Sequence, residues 1–435
     1  MLRTSAAILA GKALRYAARL RGGGSALPGL VAERVDPNLL ARTLANVPGG
    51  IVVVSGTNGK TTTTKMLAAV IAAHGKRVFT NPTGSNFTRG VLSAMLGQVT
   101  TRGRLDADVA VLELDEWHAL QFAKLVPPTH ALLLNVARDQ LDRFAEIDTT
   151  ARLLATLAGQ TSRVVVLNRD DSFVFRIAEG LSGTEIRYFG IDPAVADRVP
   201  ALHEADVRFE DDTTPPEPTT LDGLLHPVDA REFAIRFGSD PAGEVGPLTL
   251  RQRGLAAMVN ATAATTMARA VLGTDFDPAV AARALREVTA PFGRGEIIDV
   301  DGHPLELVLV KNPAGFTVAL STYGNEPVPT MIAINDDYAD GQDVSWLYDV
   351  SFASLRPHGV AMTSGVRAYD MALRLDYDEV LVEQVEPELA GALEAFLAAY
   401  RGRPTRIFCT YTAMMALRKL LAARFGLAGF AQEGE

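Results

Sequence analysis

Along most of this chain, short continuous apolar runs alternate with longer stretches in which apolar residues return every third or fourth position. The runs IVVV at 51–54, VAVLEL at 109–114, ALLLN at 131–135 and VVVLN at 164–168 have the look of strands buried on both faces. The stretches between them have the period of helices. Strands and helices in alternation predict an α/β fold, a mostly parallel sheet covered on both sides. A second series starts at 305 with LELVLV and continues through TMIAIN, GVAMTS, EVLVEQ and RIFCTY. It predicts a separate Rossmann-like domain, without the glycine fingerprint of a dinucleotide site.

Three segments depart from this rhythm. From 190 to 245 proline and acidic residues crowd together, as in FEDDTTPPEPTTLDG, which predicts a surface insertion. Helical patterning resumes over 252–272, and Pro291-Phe292-Gly293-Arg294-Gly295 reads as a hinge. The first 30 residues carry Arg3, Lys12, Arg15, Arg19 and Arg21 with no acidic residue, while Leu2, Ala6, Leu9, Ala13, Tyr16 and Leu20 recur at helical spacing. This basic amphipathic helix suits two roles, lying on an anionic membrane surface or packing on the protein with its arginines solvated, and the pattern does not choose between them. It is no signal peptide, because charge interrupts the apolar stretch throughout. The resulting division is an N-terminal segment at 1–45, a central domain at 46–296 and a C-terminal domain at 297–435.

Composition narrows the function classes. A length of 435 residues allows two or three cores. The net charge of −9 argues against sequence-independent binding of nucleic acid, which needs concentrated positive charge. A single cysteine, Cys409, excludes an internal disulfide and a multi-cysteine zinc site, and fits a reducing, cytoplasmic setting. Within IFCTY it reads as a small buried apolar residue. No run approaches the roughly 20 apolar residues of a membrane span.

The chemistry concentrates in IVVVSGTNGKTTTT at 51–64. A strand, a glycine turn and a helix starting near Lys60 would aim free N–H groups and the positive helix end at one point, which suits a phosphate. Lys60 can reach terminal phosphates and the Thr61 hydroxyl can ligate Mg2+. Val54 stands where the usual eight-residue pattern wants glycine. Glu113, at the end of a neighbouring strand, is placed to give the same metal a carboxylate; an acidic, solvated strand end is the alternative. A polar loop follows at 135–144, NVARDQLDRF, whose charges also suit surface ion pairs.

In their order along the chain, SGTNGKTT, the strand ending in glutamate, RDQLDR, Asn168 with Asp170 and Asp171, and the helix around Asn260-Ala261 resemble the central domain of the Mur ligase family. That family, which includes the folylpolyglutamate synthases, makes an acyl phosphate from a carboxylate and ATP and lets an amine displace the phosphate. Only about 45 residues precede the loop, so the uridine-nucleotide-binding domain common in the family is not expected. KNPAG at 311–315, NDDYADGQDVSW at 335–346 and SGVRAYDMALRL at 364–375 are similar to the ligase subunits of lipid II isoglutaminyl synthases. Those subunits work with a GatD-type glutamine amidotransferase that supplies ammonia.

The resemblance implies a role for each matching residue. Gly56, Thr57, Asn58, Gly59, Lys60, Thr61 and Thr62 would hold ATP, Thr61 and Glu113 the Mg2+, Asn260 the adenine, and Arg294 would lie near the γ-phosphate. Asp343 would complete the partner's Cys-His triad; its position equally suits capping of a short helix from Ser345. The substrate would be the D-glutamate carboxyl of the lipid II stem peptide, met at the inner face of the membrane. The segment 190–250 has no cysteine, so the zinc ribbon many relatives insert is not expected, and Ala257 replaces an asparagine common on the nucleotide-facing helix. An amino-acid-adding ligase of the same family and a non-catalytic nucleotide-binding scaffold are the competing readings.

Overall fold

The computed structural model describes residues 2–20, 26–81, 86–137, 147–196, 215–229, 231–238, 243–291 and 293–427. Three helices lead in: α1 (Leu2–Leu20), α2 (Ala26–Val35) and α3 (Leu39–Leu44). Then follow β1 (Ile51–Ser55), α4 (Lys60–Ala73), β2 (Val78–Thr80), α5 (Thr88–Gln98), β3 (Val109–Glu113), α6 (Glu116–Leu125), β4 (His130–Leu133), α7 (Ile147–Gly159), β5 (Val164–Asn168), α8 (Ser172–Phe175) and β6 (Glu185–Ile191). The first half closes with β7 (Gly223–Pro227), β8 (Glu232–Arg236), β9 (Val245–Thr249), α9 (Leu255–Leu272) and α10 (Pro278–Glu287).

These strands form one nine-stranded sheet in the order β2-β3-β1-β4-β5-β6-β7-β8-β9. It is parallel from β2 to β7 and antiparallel at β7/β8 and β8/β9. β1, β3, β4 and β5 are buried along their whole length, as their unbroken apolar sequences require. β1 lies between β3 and β4 at the point where the strand order reverses, which opens a crevice beyond its carboxyl end.

The second half builds a six-stranded sheet from β10 (Arg294–Val300), β11 (His303–Leu309), β12 (Thr330–Ala333), β13 (Val360–Ser364), β14 (Val382–Glu386) and β15 (Thr405–Cys409), in the order β10-β11-β15-β12-β13-β14. Only β10/β11 is antiparallel. The helices are α11 (Pro313–Tyr323), α12 (Ala368–Tyr377), α13 (Leu389–Ala399) and α14 (Tyr411–Phe425). α10 and α11 each begin with a proline at the first turn after a capping Asp277 or Asn312, whose side chain accepts backbone N–H bonds. The two halves are clamped: Arg406, buried in β15, donates to Glu306 Oε2 at 2.9 and 2.6 Å, and Arg253, just before α9, donates to Glu306 Oε1 at 2.9 Å.

Two readings of the sequence change, the insertion and the hinge. The stretch read as a surface insertion contains β7, β8 and β9, which extend the main sheet; residues 197–214 of it lie outside the described residues. Of the segment read as a hinge, Arg294 and Gly295 already belong to β10, with a bulge between Arg294 and Glu296. The helix read over 252–272 is found as α9; by length and composition it would pass for a membrane span, but it is mostly buried, packed on α4 and the sheet as a core helix. In α1 the apolar row faces outward, a point taken up below.

His130 ties this fold to pH. It is buried in β4, with Nδ1 2.8 Å from Thr129 Oγ1, and burial, then the charges of Arg163 and Arg187, push its pKa down to about 4. The unfolded chain takes up this proton near pH 6.5. As pH falls from 6.5 to 4 the unfolded state therefore binds more protons, and folding stability should drop by about 3 kcal/mol through this residue. Urea unfolding at pH 7 and 4.5 checks it: His130→Gln should flatten the difference, and an unchanged slope would exclude the assignment.

Candidate active site

β1 delivers the chain into the crevice, and the turn that follows is built for close approach. Gly56 has φ +130° and Gly59 φ +85°, conformations that favour glycine. A Cβ on Gly56 would lie 2.9 Å from the Asn135 nitrogen, and one on Gly59 2.5 Å from Asn260 Oδ1. Gly59 precedes the first turn of α4, so the free N–H groups of that turn face the crevice.

The loop is held from three sides. From the segment after β4, the Asn135 carbonyl accepts from the Thr57 N–H at 3.0 Å and Asn135 Oδ1 accepts from the Asn58 N–H at 2.8 Å, while Asn135 Nδ2 donates to the Asn58 carbonyl at 3.0 Å. From α9 comes Asn260, against Gly59. From the C-terminal half comes Asn312, fully buried, which donates through Nδ2 to Asn58 Oδ1 at 3.1 Å and caps α11 with its Oδ1. Through that bond the second sheet reaches the phosphate loop of the first.

Charge is arranged around the same point. Lys60 is buried; its Nζ donates to the Gly56 carbonyl at 2.5 Å and lies 3.2 Å from Asp115 Oδ1 and 3.8 Å from Glu116 Oε1. Burial alone would raise the Asp115 pKa, but Lys60, and Lys311 after it, hold the carboxyl below its ordinary value. Thr61 Oγ1 donates to Glu113 Oε1 at 2.7 Å, both groups buried. Asn81 fixes Glu113 from the β2 side, donating to its carbonyl and accepting from its N–H, each at 2.9 Å.

The structure therefore brings together Gly56, Thr57, Asn58, Gly59, Lys60, Thr61, Thr62, Glu113 and Asn260. Among the described residues, Arg294 and Asp343 make no hydrogen bond or ion pair with them. Arg294 opens β10, and its guanidinium makes no hydrogen bond or ion pair among the described residues. Asp343 is exposed beyond β12, where its Oδ1 accepts from the Ser345 N–H at 2.8 Å, a bond that holds its pKa below the usual carboxylate range. This bond closes the turn leading into the short helix Ser345–Asp349, whose N-cap position is Val344 and carries no side-chain cap bond, so Asp343 braces the turn and does not cap the helix. Asn168 donates to the Leu134 carbonyl and Asp171 accepts from the Val136 N–H, both bracing the segment after β4. The RDQLDR motif at 138–143 lies outside the described residues.

Sequence reasoning missed Asn135, Asn312, Lys311, Asp115 and Glu116 as site residues. Asp115 and Glu116 stand in the same acidic run as Glu113; Asn135 opens the NVARDQLDRF loop and Asn312 lies in KNPAG, but nothing local marks that they meet Asn58, across 77 and 254 residues. Among the described residues there is no cluster of three or more His, Cys, Asp or Glu side chains able to hold a metal. A hydroxyl and one carboxylate on the same point do fit Mg2+, which takes one or two protein ligands and completes its shell with water and phosphate oxygens.

A phosphate loop at the switch point of a parallel sheet, with a second α/β domain reaching onto it, defines an ATP-dependent ligase of the Mur type. The family models agree: the Mur ligase middle domain matches residues 54–215 and the MurT ligase C-terminal domain residues 309–414. The chain belongs to the Mur ligases, in the branch with the MurT form of the C-terminal domain. It is 29% identical to the lipid II isoglutaminyl synthase (glutamine-hydrolyzing) subunit MurT of Streptococcus pneumoniae, over 97% of this chain and 98% of that one. In fold it is similar to MurF from Acinetobacter baumannii, with TM-score 0.68 and 18% identity over 92% of this chain and 81% of that one. A Mycobacterium tuberculosis folylpolyglutamate synthase complexed with ADP and AMPPCP gives TM-score 0.61 and 16% identity over 90% and 95%.

Proposed function

We propose that this protein is the ligase subunit of a lipid II isoglutaminyl synthase, amidating the α-carboxyl of D-glutamate in the stem peptide to D-isoglutamine. The observation that carries the reading is end-to-end similarity to the pneumococcal MurT subunit, joined to a phosphate loop on which a MurT-type C-terminal domain closes through Asn312. ATP would lie along 56–62, with Lys60 at its terminal phosphates and Asn260 on the adenine side. Thr61 and Glu113 would hold Mg2+, which neutralises phosphate charge when bound. The substrate carboxylate attacks the γ-phosphorus; the bond from that phosphorus to the β–γ bridging oxygen breaks, and ADP leaves. Ammonia then attacks the acyl carbon, the carbon–oxygen bond to phosphate breaks, and the amine loses a proton. Lys60, and Arg294 as the C-terminal domain moves, would offset charge on the transferring group.

The ammonia would come from a GatD-type amidotransferase. This chain has one thiol, Cys409, fully buried in β15 with its pKa raised by burial, so it is not placed to hydrolyse glutamine itself. A surface suited to a partner surrounds Asp343. Tyr348, in the short helix that follows Asp343, packs edge-on against Tyr377 with ring centroids 5.9 Å apart. Along α12 and just before it, Val366, Tyr369, Leu373 and Tyr377 are all more than half exposed, an apolar patch of the kind that marks interfaces.

Mass spectrometry of lipid II tests the proposal, after incubation with the protein, MgATP and either ammonium or glutamine plus the amidotransferase. Conversion of a carboxyl to an amide, with glutamine used only when the second subunit is present, is expected. Addition of a whole amino acid would move the protein to the peptide-forming ligases and overturn the reading.

A further inference from the structure

Helix α1 is built inside out. Its polar side chains turn toward the protein: Arg3 Nε donates to the Val35 carbonyl at 2.6 Å, Thr4 Oγ1 to Asp36 Oδ2 at 3.1 Å and Ser5 Oγ to the Thr101 carbonyl at 3.0 Å. Ala7, Ile8 and Gly11 are buried, and Gly11 allows the closest approach, since a Cβ there would come within 2.6 Å of Leu96. The outward face consists of Ala6, Leu9, Ala10, Ala13, Tyr16 and Ala17, all exposed, with Leu9 57% and Tyr16 68% accessible. Positions at this spacing form one continuous stripe about three turns long, without a charged side chain and with the Tyr16 hydroxyl as its one polar group. A surface helix of a water-soluble domain ordinarily has the opposite arrangement.

We infer that this face is a docking surface for an anionic lipid bilayer. Charge selects the occupant. The helix carries Arg3, Lys12, Arg15 and Arg19 and no acidic residue, in a chain whose net charge is −9. The nearby Asp36 is taken up by Arg42, at 2.5 Å, and Glu33 by Arg89, at 2.7 Å, so neither offsets that charge. Lys12 has no ion pair among the described residues and flanks the stripe. A stripe of alanines with one leucine and a single phenol offers a protein little of the large-side-chain packing and few of the hydrogen bonds on which protein interfaces rely. Lipid asks for neither: buried apolar area and cationic flanks suffice, and tyrosine sits well at headgroup depth. Because α1 is fixed to α2 and α5, which adjoin the main sheet, the contact would set the orientation of the whole enzyme on the membrane.

Flotation of the full-length protein with vesicles of phosphatidylglycerol and phosphatidylcholine, against pure phosphatidylcholine, tests this. The vesicles hold no peptidoglycan precursor, so the outcome is independent of the substrate assigned above. Salt-sensitive binding to the anionic vesicles is expected, reduced at least about tenfold in Leu9→Glu/Tyr16→Glu and weakened in Lys12→Glu. Both residues of the double variant are exposed, and an unchanged thermal melting curve shows that it folds. Absence of anionic-vesicle binding, equal binding to both vesicle types, or equal binding by the double variant would overturn the inference. So would a wild-type dimer in solution that the double variant dissolves, since the face would then be covered by a second copy.

Discussion

Lys60→Ala should lower ATP-dependent turnover by about 10² to 10³-fold or more while the protein still folds and still binds its partner subunit. The magnitude follows from the place of the ammonium: a buried donor aimed where charge grows in the transition state is worth about that factor when removed. Here Nζ sits at the mouth of the loop, held by the Gly56 carbonyl and by Asp115 and Glu116. Those partners keep the lysine poised in the crevice and keep Asp115 ionised. Deleting the side chain takes out the cation that the terminal phosphates would meet and leaves two carboxylates facing the same phosphates, so binding and chemistry should both suffer. Amide formation and ATP consumption, measured beside nucleotide affinity, separate the two. Wild-type turnover in this variant would remove the loop from the mechanism.

What could be read from the sequence follows from which interactions are local. β1, β3, β4 and β5 are buried on both faces, so their apolar runs stand out. β8, by contrast, has only three buried residues, Phe233, Ala234 and Ile235, between the half-buried Glu232 and Arg236, so beside a proline-rich stretch it read as surface. β2 has three residues, too few for any period to show. The phosphate loop was legible because its function needs consecutive residues on one turn. Its bracing was not: Asn58 meets Asn135 and Asn312, brought together only when both sheets form.

Helix α1 shows a different limit. The spacing of Leu9, Ala13 and Tyr16 identified the helix and its apolar face, and the usual rule would bury that face. The structure buries Ala7, Ile8 and Gly11 instead, because a flat small-residue face lets α1 sit close on α2 and α5. Periodicity fixes which residues share a side; packing decides which side is inside.

Asp343→Asn should abolish the glutamine-driven reaction, by as much as about 10⁴-fold, and leave the ammonia-driven reaction near wild type. If Asp343 completes a Cys-His triad of the amidotransferase proposed above, the first figure is the cost of replacing that carboxylate by its amide, which no longer stabilises the imidazolium and favours the wrong tautomer. The second follows from geometry: Asp343 is exposed and makes no hydrogen bond or ion pair with the phosphate-loop residues, so ATP chemistry has no call on it. The carboxylate is held by Ser345, through its N–H to Oδ1 and through its side chain, and these bonds fix its direction as a free side chain could not. Asparagine can accept the same N–H bond through its own oxygen, so the turn and the adjoining Tyr348–Tyr377 pair should survive the change. Asp343→Ala would lose the turn bond as well, at about 1 kcal/mol, and so serves as the structural control. Rates with glutamine and with ammonium, for both variants in complex with the amidotransferase, decide the matter. If both nitrogen sources fail equally in Asp343→Asn, the residue acts through the fold of its turn and not through the partner's active site.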